Sequence, residues 1–274
     1  MEHLRIPCGD LVLDAVASGP ADGPVVVLLH GFPQTSWTWH AVWPQLAGAG
    51  YRTVAPDLRG YSPDARPEGI DAYRLEHLVG DVLAVLDHVG ADAAHIVGHD
   101  WGAAIAWQLA ARHQGRVRTL TAVSVPHPLA FVGALRTDDD QRARSRYMKD
   151  WLDPAAERAL LGGGLQQVFG GIPSASVDRY LAVLREPGVL THALAYYRAQ
   201  SLADLYGLGP VTAPTLHVWS DGDHALGPAA AHATGAHVAG PYRFEVLHEV
   251  SHWIPEQAPG QLAALVLAHL LAYP

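Results

Sequence analysis

Cysteine and lysine are nearly missing from this chain: Cys8 and Lys149 are the only residues of their kind among 274. One thiol cannot close an internal disulfide, so the fold must be held by its core. Charge is sparse as well, at 16% of residues, with a formal net charge of −9 when the histidines are neutral. No basic stripe occurs, which excludes nucleic acid as a partner because nothing would neutralise its phosphates. Long apolar runs are missing too. The longest uninterrupted one, Leu262 to Ala268, is far too short to cross a bilayer. The opening Met1-Glu2-His3-Leu4-Arg5 lacks the basic-then-apolar pattern of a secretion signal. The expectation is a cytoplasmic protein, monomer or homodimer, acting on a small apolar molecule. Histidine is the exception to this scarcity, with 17 residues, five of them (His224, His232, His237, His248 and His252) crowded near the end. No C-x-x-C spacing and no cysteine partner accompanies them, so neither metal nor cofactor is expected.

What is abundant is apolar residue, 49% of the chain, in a rhythm of short strands and longer helices. Pro24-Val25-Val26-Val27-Leu28-Leu29 is continuous and β-branched, as a strand buried on both faces should be. Residues 10–17, Tyr51 to Ala55, Ala94 to Gly98 and Thr119 to Val125 also read as strands. Between two of these, Leu75, Leu78, Val79, Val82, Leu83, Val85 and Leu86 recur at helical spacing. Alternation of this kind predicts a mostly parallel sheet flanked by helices. From about 129 to 208 buried-strand runs disappear, leaving helical stretches broken by Gly162-Gly163-Gly164 and Gly170-Gly171. The run Asp138-Asp139-Asp140 reads there as a solvated turn. Strand rhythm resumes at Pro214 to Trp219 and Tyr242 to Leu247, and a helix over about 258–271 closes the chain. The organisation expected is an α/β core of residues 1–128 and 209–274 with a helical cap, 129–208, inserted into it.

The strongest chemical signal is Gly98-His99-Asp100-Trp101-Gly102, between a buried strand and a helix starting near Ala103. Small residues flanking a polar one at a strand-to-helix turn define a nucleophile elbow, here with Asp in place of Ser. An aspartate before a helix can also be a simple N-cap. That alternative leaves the paired glycines unexplained, and with them His30-Gly31-Phe32-Pro33, placed directly after strand 24–30. A turn there can aim the Phe32 N–H at the reaction centre while the Trp101 N–H supplies a second donor, together an oxyanion hole. His30 itself reads as structural.

With these motifs the sequence resembles the epoxide hydrolase and haloalkane dehalogenase branch of the α/β-hydrolase family. The likeness runs from His30-Gly31-Phe32-Pro33 through Asp57-Leu58-Arg59-Gly60-Tyr61 to His252-Trp253. It implies an α/β-hydrolase fold with an inserted cap, and a triad in the chain order nucleophile, acid, base. The acid lies in Ser220-Asp221-Gly222-Asp223-His224. By resemblance it is Asp223, with Asp221 as the alternative. The base is His252, where the fold places its histidine between the last strand and the last helix, with His248 the weaker candidate.

A carboxylate nucleophile also limits the chemistry. Its attack on an ester would give only an anhydride, whereas attack on a saturated carbon gives an alkyl ester that histidine-activated water can hydrolyse. Substrates are therefore epoxides or organohalides. An opening epoxide releases an alkoxide that needs an acid, and by resemblance Tyr147 and Tyr197 of the cap occupy the positions that hold the epoxide oxygen. Ala195 departs from the family pattern, in which many relatives carry Asn two residues before this tyrosine. Phe32 stands where haloalkane dehalogenases commonly carry a halide-binding Asn. Trp101 and Ala104 stand where fluoroacetate dehalogenases carry arginines. Epoxide hydrolysis therefore leads over dehalogenation, and both lead over a non-enzymatic binding relative. Trp37, Trp39, Phe131, Trp151 and Trp253 are candidates to line the substrate site.

Overall fold

The computed structural model describes residues 1–201 and 208–274. Eight strands form one sheet in the order β1-β2-β4-β3-β5-β6-β7-β8. They are β1 (Glu2–Cys8), β2 (Leu11–Ser18), β3 (Val25–Leu29), β4 (Arg52–Pro56), β5 (Ala94–His99), β6 (Val117–Val123), β7 (Thr215–Ser220) and β8 (Tyr242–Leu247). From β4 across to β8 every pairing is parallel, while β1–β2 and β2–β4 are antiparallel. The central strands carry the signature of double burial: all six residues of β5 and all six of β7 are buried. Helices cover both faces and divide the core in two. Leu75–His88 and Trp101–Arg112 pack over one side with Val27, Leu29 and Ile96, and Trp43–Gly48 and Pro259–Ala272 over the other with Val26, Leu28 and Val97.

Strand β1 has no counterpart in the expectation from sequence. It is an edge hairpin partner in which only Ile6 and Cys8 are buried, and Pro7 and two charged or polar side chains, His3 and Arg5, interrupt its apolar pattern. Asp138-Asp139-Asp140 is a helix start rather than a turn. Asp138 accepts from the backbone N–H of Asp140 (3.1 Å) and Gln141 (3.3 Å), capping the helix Asp139–Arg144. Its acidic first turn suits the positive end of the helix dipole.

From Pro128–Thr137 to Val189–Ala199, between β6 and β7, the residues form helices and turns only. Residues 202–207 of the expected 129–208 cap lie outside the described part. This segment is tied both to itself and to the core. Arg198 pairs with Glu157 (3.1 Å) and donates to the Trp151 carbonyl (3.1 Å), locking the helix Val189–Ala199 to the turn after Arg146–Asp150. Tyr196 donates to the Arg59 carbonyl (2.7 Å), and the Arg59 guanidinium in turn grips Asp81 through two bonds of 2.8 and 2.6 Å.

Candidate active site

Parallel strands end in loops that gather on one edge, and ligands of open α/β sheets bind there. Phe32 follows β3, Asp100 follows β5, Asp223 follows β7 and His252 follows β8. The register Leu29↔Gly98 between β3 and β5 brings the Gly31-Phe32 turn beside Asp100. Close approach sets the residue types. A Cβ on Gly31 would lie 2.3 Å from Asp100 Oδ1, and one on Gly98 would lie 2.2 Å from the Gly102 carbonyl oxygen. Only glycine fits at either position.

Asp100 is held at φ 52°, ψ −121°, a conformation that costs an L-residue about 1–3 kcal/mol. Its backbone carbonyl takes the first helical bonds, from Ala103 (2.9 Å) and Ala104 (3.1 Å), so the helix begins at Trp101, two residues earlier than expected. The side chain makes no cap, which removes the N-cap reading. It turns instead to the site, where Oδ1 accepts the Phe32 N–H at 2.7 Å and Oδ2 lies 3.4 Å from His252 Nε2. The Trp101 N–H stands at the first helical position, where no intrahelical acceptor exists.

His252 Nδ1 lies 2.8 Å from Asp223 Oδ2. The other Asp223 oxygen accepts the N–H groups of Ala225 (2.8 Å) and Leu226 (2.9 Å). Burial alone would push the His252 imidazole down, but the carboxylates of Asp223 and Asp100 outweigh it and hold it up to about 10. For Asp223, burial works to raise the carboxyl, and the His252 cation with the two amides brings it below its ordinary value. The competing pair is placed elsewhere. Asp221 and His248 meet each other at 2.6 Å on the exposed surface. His30 is likewise occupied: Nε2 accepts from the Leu58 N–H (3.0 Å), and Nδ1 lies 3.1 Å from the Gly31 carbonyl.

A cavity of about 290 Å³ opens over Asp100 and Trp101, lined mostly by apolar side chains. Tyr147 and Tyr197 both face it, their ring centroids 6.3 Å apart. Burial first, and the Asp100 carboxylate second, push both phenols above their usual value. Of the five aromatic candidates, Phe131 lines the cavity. Trp151 stands behind it, packed on Phe32 (4.8 Å), Tyr147 (4.5 Å) and Tyr197 (4.9 Å). The other three are corrected. Trp39 is fully buried with Val26 and Leu28 in the core under the sheet. Trp37 stacks on His40 and carries Arg179 over its ring at 4.0 Å. Trp253 packs 5.0 Å from the His252 ring and 6.3 Å from Phe169. None of the three is among the residues that line the cavity.

Some site residues carry no sequence signal. The His252 carbonyl is fixed by Ser124 Oγ and His99 Nε2, each at 2.9 Å, with Ser124 itself at φ 67°. Leu75, Leu135 and Met148 complete the cavity wall. Their apolar character fits core and pocket equally, so only their placement reveals them.

The chain matches the α/β-hydrolase fold family over residues 24–259 and belongs to it. Within that family it is an enzyme of the epoxide-hydrolase-like branch. It is 30% identical to Epoxide hydrolase A of Mycobacterium tuberculosis, over 94% of each chain. It is also 33% identical to the AB hydrolase superfamily protein YfhM of Bacillus subtilis, over 95% of this chain and 94% of that one. A structure reported among novel epoxide hydrolases from metagenomes of hot environments superposes with a TM-score of 0.90 at 30% identity, covering 98% of both. The inhibitor-bound epoxide hydrolase of Bacillus megaterium gives 0.88 at 26% identity, covering 98% of this chain and 100% of that one. Among the described residues, no helix is long and apolar enough to cross a membrane.

Proposed function

We propose that this hydrolase opens an apolar epoxide to a vicinal diol through an alkyl ester on Asp100. The observation that carries this reading is the division of labour at that carboxylate, one oxygen held by the Phe32 amide and the other facing His252 and the cavity. The free oxygen attacks an epoxide carbon as the C–O bond breaks, and Tyr147 and Tyr197 receive the departing oxygen, one of them giving up its proton. The tyrosinate so formed is strongly basic, since both phenols are pushed up. Esterification has meanwhile removed the Asp100 charge that helps to keep His252 protonated. The proton therefore passes from the imidazolium to the tyrosinate, restoring the tyrosine and freeing the imidazole as a base.

Water activated by His252 then adds to the ester carbonyl, and the negative charge develops on the oxygen already bonded to the Phe32 N–H, with Trp101 N–H as the second donor. Asp223 fixes the tautomer and stabilises the imidazolium. That imidazolium protonates the leaving diol oxygen, and the new carboxylic acid returns its proton to His252. In this reading residues 129–208 act as the cap over a core of 1–128 and 209–274, bringing the tyrosines to the nucleophile.

Dehalogenation by the same carboxylate is disfavoured, because the chain contains no asparagine to cradle a halide and because two phenols meet the leaving group instead. A panel of aryl and alkyl epoxides and matched organohalides tests the assignment. Diol formation without halide release is expected, and efficient halide release with inert epoxides would reverse it.

A further inference from the structure

Gln141 sits in the helix Asp139–Arg144, within a stretch whose charges face solvent, yet its own side chain is fully buried. The amide is spent on the loop after β7: Nε2 donates to the Ala225 carbonyl (2.9 Å), and Oε1 accepts the Gly227 N–H (2.7 Å). This is the pairing that a neighbouring strand would offer, supplied by one side chain. The second Nε2 hydrogen goes to Ser145 Oγ (2.9 Å), at the start of the helix Arg146–Asp150, which carries Tyr147. Arg144, three residues on from Gln141, also donates to the Asp223 carbonyl.

The loop held in this way positions the acid. Ala225 and Leu226 give their N–H groups to Asp223 Oδ1, and Leu226 also lines the cavity. We propose that Gln141 is a positioning residue that sets the Asp223 loop and the Tyr147 helix as one unit, so that both half-reactions depend on a residue touching neither substrate nor triad. The inference rests on the roles given above to Asp223 and Tyr147. Without the amide, the Gly227 N–H and Ala225 carbonyl are left buried and unpaired, and the loop must shift to satisfy them. A displacement of an ångström in a catalytic group is enough to slow chemistry about a hundredfold.

Single-turnover quench with intact-protein mass spectrometry reads the two steps separately, as growth and decay of the alkylated enzyme on an aryl epoxide. Q141L, which keeps the volume and loses all three bonds, should slow ester formation and ester hydrolysis each by roughly tenfold or more. Wild-type rates in either step would overturn the proposal. Q141E keeps an acceptor for Gly227 and loses the donor to Ala225 until it is protonated. Its deficit relative to wild type should therefore shrink as the pH is lowered, and a deficit independent of pH would contradict the clamp. This second variant also keeps the test open if Q141L does not fold. H252Q and D100N are run alongside: if these turn the epoxide over as wild type does, it is the underlying site assignment that falls.

Discussion

His252 Nε2 stands 3.4 Å from Asp100 Oδ2, a contact longer than its 2.8 Å bond to Asp223 on the other side of the ring. The imidazole is thus bonded to Asp223 and merely faces Asp100. That asymmetry suits the proposed mechanism, in which Asp100 must be free to leave the imidazole and bond to carbon.

The first expectation follows from this separation. Alkylation needs no base at the carboxylate, whereas hydrolysis of the ester does. H252Q should react once with an epoxide and stall, showing one added substrate mass on the peptide containing Asp100. D223N should turn over slowly, and D221N should stay near the wild-type rate, since Asp221 is engaged with His248 on the surface. Free turnover by H252Q, or a stall in H248Q instead, would reassign the base.

A second expectation concerns the tyrosines. Their rings meet Trp151 and Trp101 rather than core residues alone, so loss of a hydroxyl leaves the packing in place. The double variant Y147F/Y197F should lose diol formation by about a hundredfold or more, in the range of general acid catalysis, with its thermal midpoint little changed. Undiminished turnover would remove them from the reaction.

The third expectation is a pH dependence of stability. His252 is raised from 6.5 to about 10 in the folded protein. A folded-state value above the unfolded one means that its stabilising contribution is complete below pH 6.5 and is lost as the pH rises through about 10. Asp223, lowered on folding, acts in the opposite sense, contributing above its ordinary value and losing that contribution toward acid. Thermal midpoints measured from about pH 8 to pH 11 should fall more steeply for wild type than for H252Q. Parallel slopes would show that the two carboxylates do not hold this proton.

Much of the fold is legible in the sequence because a doubly buried strand such as β3 leaves a continuous apolar, β-branched run. The edge strand β1 escapes, since half of it faces water and its pattern breaks at Pro7. At the site, Asp100 and Phe32 announce themselves through glycines that close approach requires. Asp223 and Asp221 are two positions apart in one loop, and spacing alone cannot divide them. The structure gives them different partners, His252 for one and His248 for the other. Trp37, Trp39 and Trp253 mislead because an aromatic ring suits a core and a pocket equally well. Gln141 is invisible for a related reason. A glutamine beside charged residues reads as surface, and only the loop folded against it shows where its amide goes.

The central claim is that oxygen reaches the substrate from Asp100 and not directly from water. A single turnover with enzyme in excess, in water enriched in heavy oxygen, tests this in one mass spectrum. The first diol should carry no heavy oxygen, with the label appearing in the Asp100 peptide after hydrolysis of the ester and in diol only on later turnovers. Full labelling of that first diol, with an unlabelled Asp100 peptide, would contradict the account.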